Sequence, residues 1–123
     1  MGRGSTIAIH GKVNAITLDG CKRTAVLVES AMAGVELVNC SGCKVQVTGS
    51  VATISVDKCD GTQLILSRDA TAADVISAKS SELNIIVPGA TDDDEYKEHA
   101  IAEQFVSKYV DGKFVTTAVE HTA

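Results

Sequence analysis

Aromatic residues are nearly missing from this chain: two tyrosines, two phenylalanines and no tryptophan stand among 123 residues. Large rings usually supply much of the buried area of a small core, so this interior must be assembled from Val, Ile, Leu, Ala and small polar side chains. Thin, repetitive layers suit such material. Positive charge is also in short supply, with 11 basic against 16 acidic residues and a formal net charge of −5. That balance opposes non-specific attraction to phosphate backbones or anionic lipid, so nucleic acid is excluded as a first partner. No run approaches the roughly 20 apolar residues of a membrane-spanning helix. The start, Met1-Gly2-Arg3-Gly4-Ser5, lacks the apolar core of a secretory signal. A cytoplasmic protein with no membrane span is expected.

Cysteine is present at Cys21, Cys40, Cys43 and Cys59. Without a secretory signal these thiols are expected to stay reduced and to sit inside. Cys40-Ser-Gly-Cys43 has the spacing of redox and zinc sites, but no second C-x-x-C and no spaced histidine pair accompanies it. No metal and no cofactor are expected.

Self-similarity appears at about twenty residues. Ile16-Thr-Leu-Asp19, Glu36-Leu-Val-Asn39, Ile54-Ser-Val-Asp57 and Ile76-Ser-Ala-Lys79 each place a β-prone run before a polar turn, with spacings of 20, 18 and 22. A second series follows the turns: Val26-Leu-Val28, Val45-Gln-Val47, Leu64-Ile-Leu66 and Ile85-Ile-Val87, spaced by 19, 19 and 21. Asp, Asn, Gly and Ser between them bend a chain tightly. Each coil therefore reads strand, corner, strand, and one such coil cannot bury its own apolar face. Stacking coils in parallel, roughly 4.8 Å apart, buries a continuous core. The fold class is all-β, a short parallel β-helix. Helical patterns and leucine-rich repeats do not fit, and Cys21, Cys40 and Cys59 fall at intervals of 19 and 19, as thiols stacked at one corner would.

One domain over residues 1–123 is expected, with coils over about 12–88, an acidic loop and connecting segment over 89–107, and a hairpin over 108–119. The run Asp92-Asp-Asp-Glu95 reads as a hydrated loop. All four aromatics, Tyr96, Phe105, Tyr109 and Phe114, fall beyond the repeat. Asp111-Gly112 between Lys108-Tyr-Val110 and Lys113-Phe-Val115 is a strong two-residue hairpin signal. A solenoid end left open invites aggregation, so this hairpin is expected to act as a cap or to cross to a second copy in a homodimer. Phe105, Tyr109, Val110, Asp111, Gly112, Phe114 and Val115 are the dimerisation candidates.

Several blocks in order resemble the C-terminal domain of the cyclase-associated proteins. They are Lys12-Val-Asn-Ala-Ile-Thr-Leu-Asp19, Val45-Gln-Val-Thr-Gly49, Thr53-Ile-Ser-Val-Asp-Lys58 with Asp60-Gly61, Ala78-Lys-Ser-Ser-Glu82, Glu103-Gln-Phe105 and Lys113-Phe-Val-Thr-Thr117. The resemblance implies a right-handed β-helix dimerised by exchange of its C-terminal hairpin. It also implies preferential binding of ADP-loaded monomeric actin and promotion of its exchange of ADP for ATP. Adenylyl cyclase and cofilin–actin complexes enter as further partners by the same resemblance. Lys44, Gln46, Thr48, Lys58, Lys79 and Glu82 alternate with core positions and are expected to form a polar face for actin, joined by Val119, Glu120 and His121 of the tail.

An enzyme is disfavoured, because Asp19, Glu29, Glu36, Asp57, Asp60, Asp69, Asp74 and Glu82 lie scattered and His10, His99 and His121 all lie outside the repeat. A β-helix like that of tubulin cofactor C, acting on a GTPase, would need the Arg of a Gln-x-Arg motif, and here Gln46-Val-Thr48 has only the Gln. That reading and a dimeric scaffold for another protein are the alternatives.

Overall fold

The structure is a computed structural model that describes residues 5–89 and 95–119. Strand β1 (Thr6–Asp19) pairs in parallel with β2 (Ala25–Val38) along both of its halves. The first half of β2 then pairs with β3 (Ser41–Val47), and the second half with β4 (Thr53–Asp57). The pattern repeats, with β5 (Asp60–Leu66) on β3, β6 (Asp74–Ala78) on β4 and β7 (Ser81–Val87) on β5, all parallel. Each turn of the chain lays one segment on each of two faces, and the next turn stacks upon it. This is the expected β-helix. Pairing starts at Thr6, ahead of residue 12, because Ile7 and Ile9 extend the inward alternation into a further layer.

The first face is closed by β8 (Lys97–Ala100), which runs antiparallel to β7 within the segment read as a connection. The second face ends at β6, whose outer edge carries no strand among the described residues. A separate antiparallel hairpin of β9 (Phe105–Val110) and β10 (Lys113–Ala118) follows, starting three residues ahead of residue 108.

Inside, like stacks on like. Val26, Val45 and Leu64 share one column on the first face; Val28, Val47 and Leu66 share the next. On the second face Val35 sits over Ile54 and Leu37 over Val56. All ten are buried, and each contributes roughly 1.5–3 kcal/mol by leaving water. Branched aliphatic side chains fill a layer one strand spacing deep, which is how a chain with so few rings acquires a core.

The coil length is 19 residues between Ala25, Lys44 and Gln63, and 21 between Gln63 and Asn84. Corner spacings of 20, 18 and 22 therefore do not hold: Asp19 pairs with Val38, and Val38 with Asp57. Asn39 instead stacks on Gly20, because the corner requires a left-handed residue there and an acidic side chain is incidental. The two additional residues of the longer coil are accommodated at a 3-10 turn of four residues, Asp69–Ala72, at the looser corner between the faces.

At the tight corner two left-handed positions recur. Gly20, Asn39, Lys58 and Lys79 form the first column, and Arg23, Gly42, Gly61 and Glu82 the second, with φ between 50° and 77°. Between them stand Cys21, Cys40, Cys59 and Ser80. The Cys40 thiol donates to the Val38 and Leu18 carbonyls at 3.4 and 3.5 Å, and Cys59 donates to Asp57 and Leu37 at 3.3 and 3.6 Å. Ser80 repeats the pattern with its hydroxyl to Ala78 and Val56 at 2.9 and 3.3 Å. The expected stack of thiols exists; Cys40, Cys59 and Ser80 each tie their own coil to the preceding one, and Cys21, in the first coil, bonds the Asp19 carbonyl of its own coil at 3.9 Å.

The second face tolerates no side chain at Gly34. Its φ is +147°, and a Cβ there would collide with the Thr53 carbonyl of the next coil. Gly34→Ala is expected to destabilise the protein by about 2 kcal/mol or more, because backbone rather than a flexible side chain must move. Equilibrium urea unfolding checks this, and a loss under about 0.5 kcal/mol would show that the coils can separate freely at this point.

Candidate functional site

The polar candidates divide between one face and one corner. On β3, Lys44 and Gln46 point outward between the buried Cys43, Val45 and Val47, and Thr48 continues the row just past the strand. The Thr48 hydroxyl reaches the Val28 carbonyl at 3.5 Å. Lys58 and Lys79 sit at the tight corner in successive coils, joined by the Lys58 amide donating to the Ala78 carbonyl at 3.0 Å. Glu82 lies three residues further round the same corner, with φ +52°.

These corner residues are energetically conspicuous. A left-handed conformation costs a residue with a Cβ on the order of 1 kcal/mol, and Gly or Asn would fill the position more cheaply. Lys58, Lys79 and Glu82 nevertheless hold it with long charged side chains that are exposed or nearly so.

A groove of about 580 Å³ runs along the first face beside the corner. Lys44 and Glu82 line it together, with Gln63, Asn84 and Glu103, over a floor that includes Ile101. Gln46, Thr48, Lys58 and Lys79 do not line it. Gln63 and Asn84 were not among the candidates, yet coil arithmetic points to them, since they pair in register with Lys44 and with each other. Glu103 carries no such signal, because it lies beyond the repeat.

At the other end of the chain, every residue from Phe105 to Ala118 is exposed. Asp111 and Gly112 have φ of 49° and 83°, the left-handed pair that a two-residue hairpin turn demands. Tyr109 faces Phe114 across the strands with ring centroids 5.3 Å apart, edge to face. Phe105, Val110 and Val115 complete an apolar surface divided between the two sides of the hairpin. Val119 is tied to its base by its backbone amide, which donates a hydrogen bond to the Gln104 carbonyl at 2.9 Å. Glu120 and His121 lie outside the described residues.

Fold and surface together define a small solenoid module of the β-helix class, with a polar corner and a projecting aromatic hairpin. The family described as adenylate cyclase associated (CAP) C terminal matches residues 2–121, and the chain belongs to that family. It is 46% identical over 117 residues to the adenylyl cyclase-associated protein of Dictyostelium discoideum, covering 95% of this chain and 25% of the relative. Cyclase-associated protein 1 of Arabidopsis thaliana is 43% identical over 120 residues, covering 98% of this chain and 25% of the relative. The chain thus spans about a quarter of the length of these curated relatives. The crystal structure of cyclase-associated protein from Cryptosporidium parvum superposes with a TM-score of 0.83 at 30% identity, covering 96% of this chain and 85% of that one. These names describe proteins associated with a cyclase, not cyclases. Among the described residues, no helix is long and apolar enough to cross a membrane.

Cys21, Cys40 and Cys59 stand in the corner column, and Cys43 is buried on β3, where it lines the groove beside Lys44. All four are free, and among the described residues no group of three or more His, Cys, Asp or Glu is placed to hold a metal. Burial raises the thiol pKa of Cys21, Cys43 and Cys59, and the sulfur of Cys40 pushes each in the same direction. The folded state thus favours neutral thiols. Their contribution is complete below the ordinary thiol pKa of about 8.5 and is lost as pH rises from there through the raised folded values. Unfolding free energy is expected to fall more steeply between pH 8 and 10 in the native chain than in a variant with Ser at positions 21, 43 and 59. Parallel slopes in the two proteins would contradict the assignment.

Proposed function

We propose that this module binds monomeric actin, preferring the ADP-bound form, and promotes exchange of its nucleotide within the cytoplasm. Family membership supplies the actin-related role. The observation that carries the binding face is the presence of Lys58, Lys79 and Glu82 at left-handed positions where glycine would be less strained. Lys44, Gln46 and Thr48 extend the same polar surface along β3. Lysines of this kind position an acidic partner without entering the core, and actin is acidic. Val119, Glu120 and His121 form the start of a tail that acts near actin's nucleotide cleft, because exchange requires favouring a looser cleft and not binding alone.

The active form in this proposal is a homodimer. A two-stranded hairpin alone is marginal in water, and this one exposes Tyr109 and Phe114 at 68% and 69%. The open edge of β6, with Ile76 exposed at 58%, offers an acceptor of matching chemistry. A smaller groove beside it is lined by Ser77, Lys79 and Phe105. The hairpin of one copy is proposed to cover that edge in the other. Adenylyl cyclase and cofilin–actin complexes remain further partners of the full-length relatives' kind.

Replacing Lys58 and Lys79 with Asn separates stability from binding. The double variant is expected to melt at or above the native temperature, since Asn tolerates the left-handed region, yet to bind labelled ADP-actin about tenfold more weakly. Unchanged affinity would place the contact away from the corner. If the same variant keeps affinity while removal of residues 119–123 slows release of a fluorescent ATP analogue, exchange belongs to the tail alone.

Light scattering tests the dimer. The native chain is expected to have twice its formula mass at tens of micromolar. A chain lacking residues 105–123 is expected to be monomeric or to aggregate. A native chain that stays monomeric would eliminate the exchange of hairpins.

A further inference from the structure

The last coil faces a difficulty that the inner coils do not. At the tight corner the amide of the second left-handed residue points along the helix axis, and Arg23 donates it to the Ser41 carbonyl of the next coil at 2.9 Å. In the final coil the equivalent residue is Glu82, and β7 has no further parallel strand below it among the described residues. The carboxylate of Glu103 fills the place: its Oε2 accepts the Glu82 amide at 2.8 Å. Two residues earlier, the Ile101 amide donates to the Leu83 carbonyl at 2.9 Å. Two residues later, the hairpin begins at Phe105.

Glu103 also stands where two surfaces meet. It lines the groove that holds Lys44 and Glu82, and it lines the smaller groove, about 290 Å³, that runs beside β6 with Lys79 and Phe105. A bond from an amide to an ionised carboxylate is stronger than an ordinary amide–carbonyl bond, so it is suited to fixing a short connecting segment.

We infer that Glu103 is a positioning residue for the hairpin: its carboxylate stands in for the carbonyl of a missing coil and so fixes the direction in which the hairpin leaves the β-helix. The inference rests on the two-copy reading, since direction matters only if the hairpin must reach a second molecule. Strands β9 and β10 pair only with each other, as a sheet separate from that of the coils, so the role differs from support of the coil pairing.

The test compares native chain, Glu103→Gln and Glu103→Ala by sedimentation equilibrium, thermal melting and amide exchange at Glu82. Gln keeps an acceptor oxygen, and its dimer dissociation constant is expected within about threefold of native. Ala is expected to raise that constant about tenfold and to speed Glu82 exchange, with the melting temperature shifted by less than about 3 °C. An Ala variant that dimerises as tightly as the native chain overturns the inference. So does a Gln variant as weak as Ala, or an Ala variant whose weaker dimer comes with a comparable collapse of the melt. A monomeric native chain would instead show, before any variant is compared, that the two-copy reading has failed.

Discussion

Everything in this molecule depends on repeating one backbone reversal in register. A coil can stack on its neighbour only if the chain turns the tight corner with the same pair of left-handed residues each time. The columns from Gly20 to Lys79 and from Arg23 to Glu82 are that pair. Once the corners coincide, amides and carbonyls of successive coils meet without adjustment, and the aliphatic columns above Val45 and Leu37 follow as a consequence. The thiol and hydroxyl ladder reinforces the same place. A small polarisable group between two left-handed residues reaches carbonyls of two coils, which neither a larger nor a purely apolar side chain could do.

Much of this was legible in the residues. Alternating Val and Ile at a fixed interval announces short stacked strands, and Asp111-Gly112 announces its hairpin, because both depend on local chemistry that side chains display directly. The corner spacings of 20, 18 and 22 mix two neighbouring columns, Asp19 and Asp57 in one, Asn39 and Lys79 in the next. The eye matches similar side chains, whereas the fold matches φ, and Gly20 shares a conformation with Asn39 that their side chains do not reveal.

The candidate surface was legible in part for a related reason. Lys44, Lys58, Lys79 and Glu82 could be placed by counting, and the structure gathers the last three at one corner while seating Lys44 beside Glu82 in a groove. Gln63 and Asn84 needed the corrected coil length. Glu103 could not be found by counting at all, because its position follows from how the chain returns after β8. The last coil's need for an acceptor is a property of the finished stack and not of any local segment.

The two corners of each coil are not equivalent, and the longer coil shows what that difference permits. Its additional residues are absorbed at the turn Asp69–Ala72, which buries Ala70 and exposes its other residues while β5, β6 and β7 keep their pairing. Length is therefore negotiable on one side of the cylinder and rigidly counted on the other. A lineage of such proteins can lengthen, shorten or decorate the looser side as it diversifies, and a probe or epitope grafted there would report on the module from a site that the stacking does not notice.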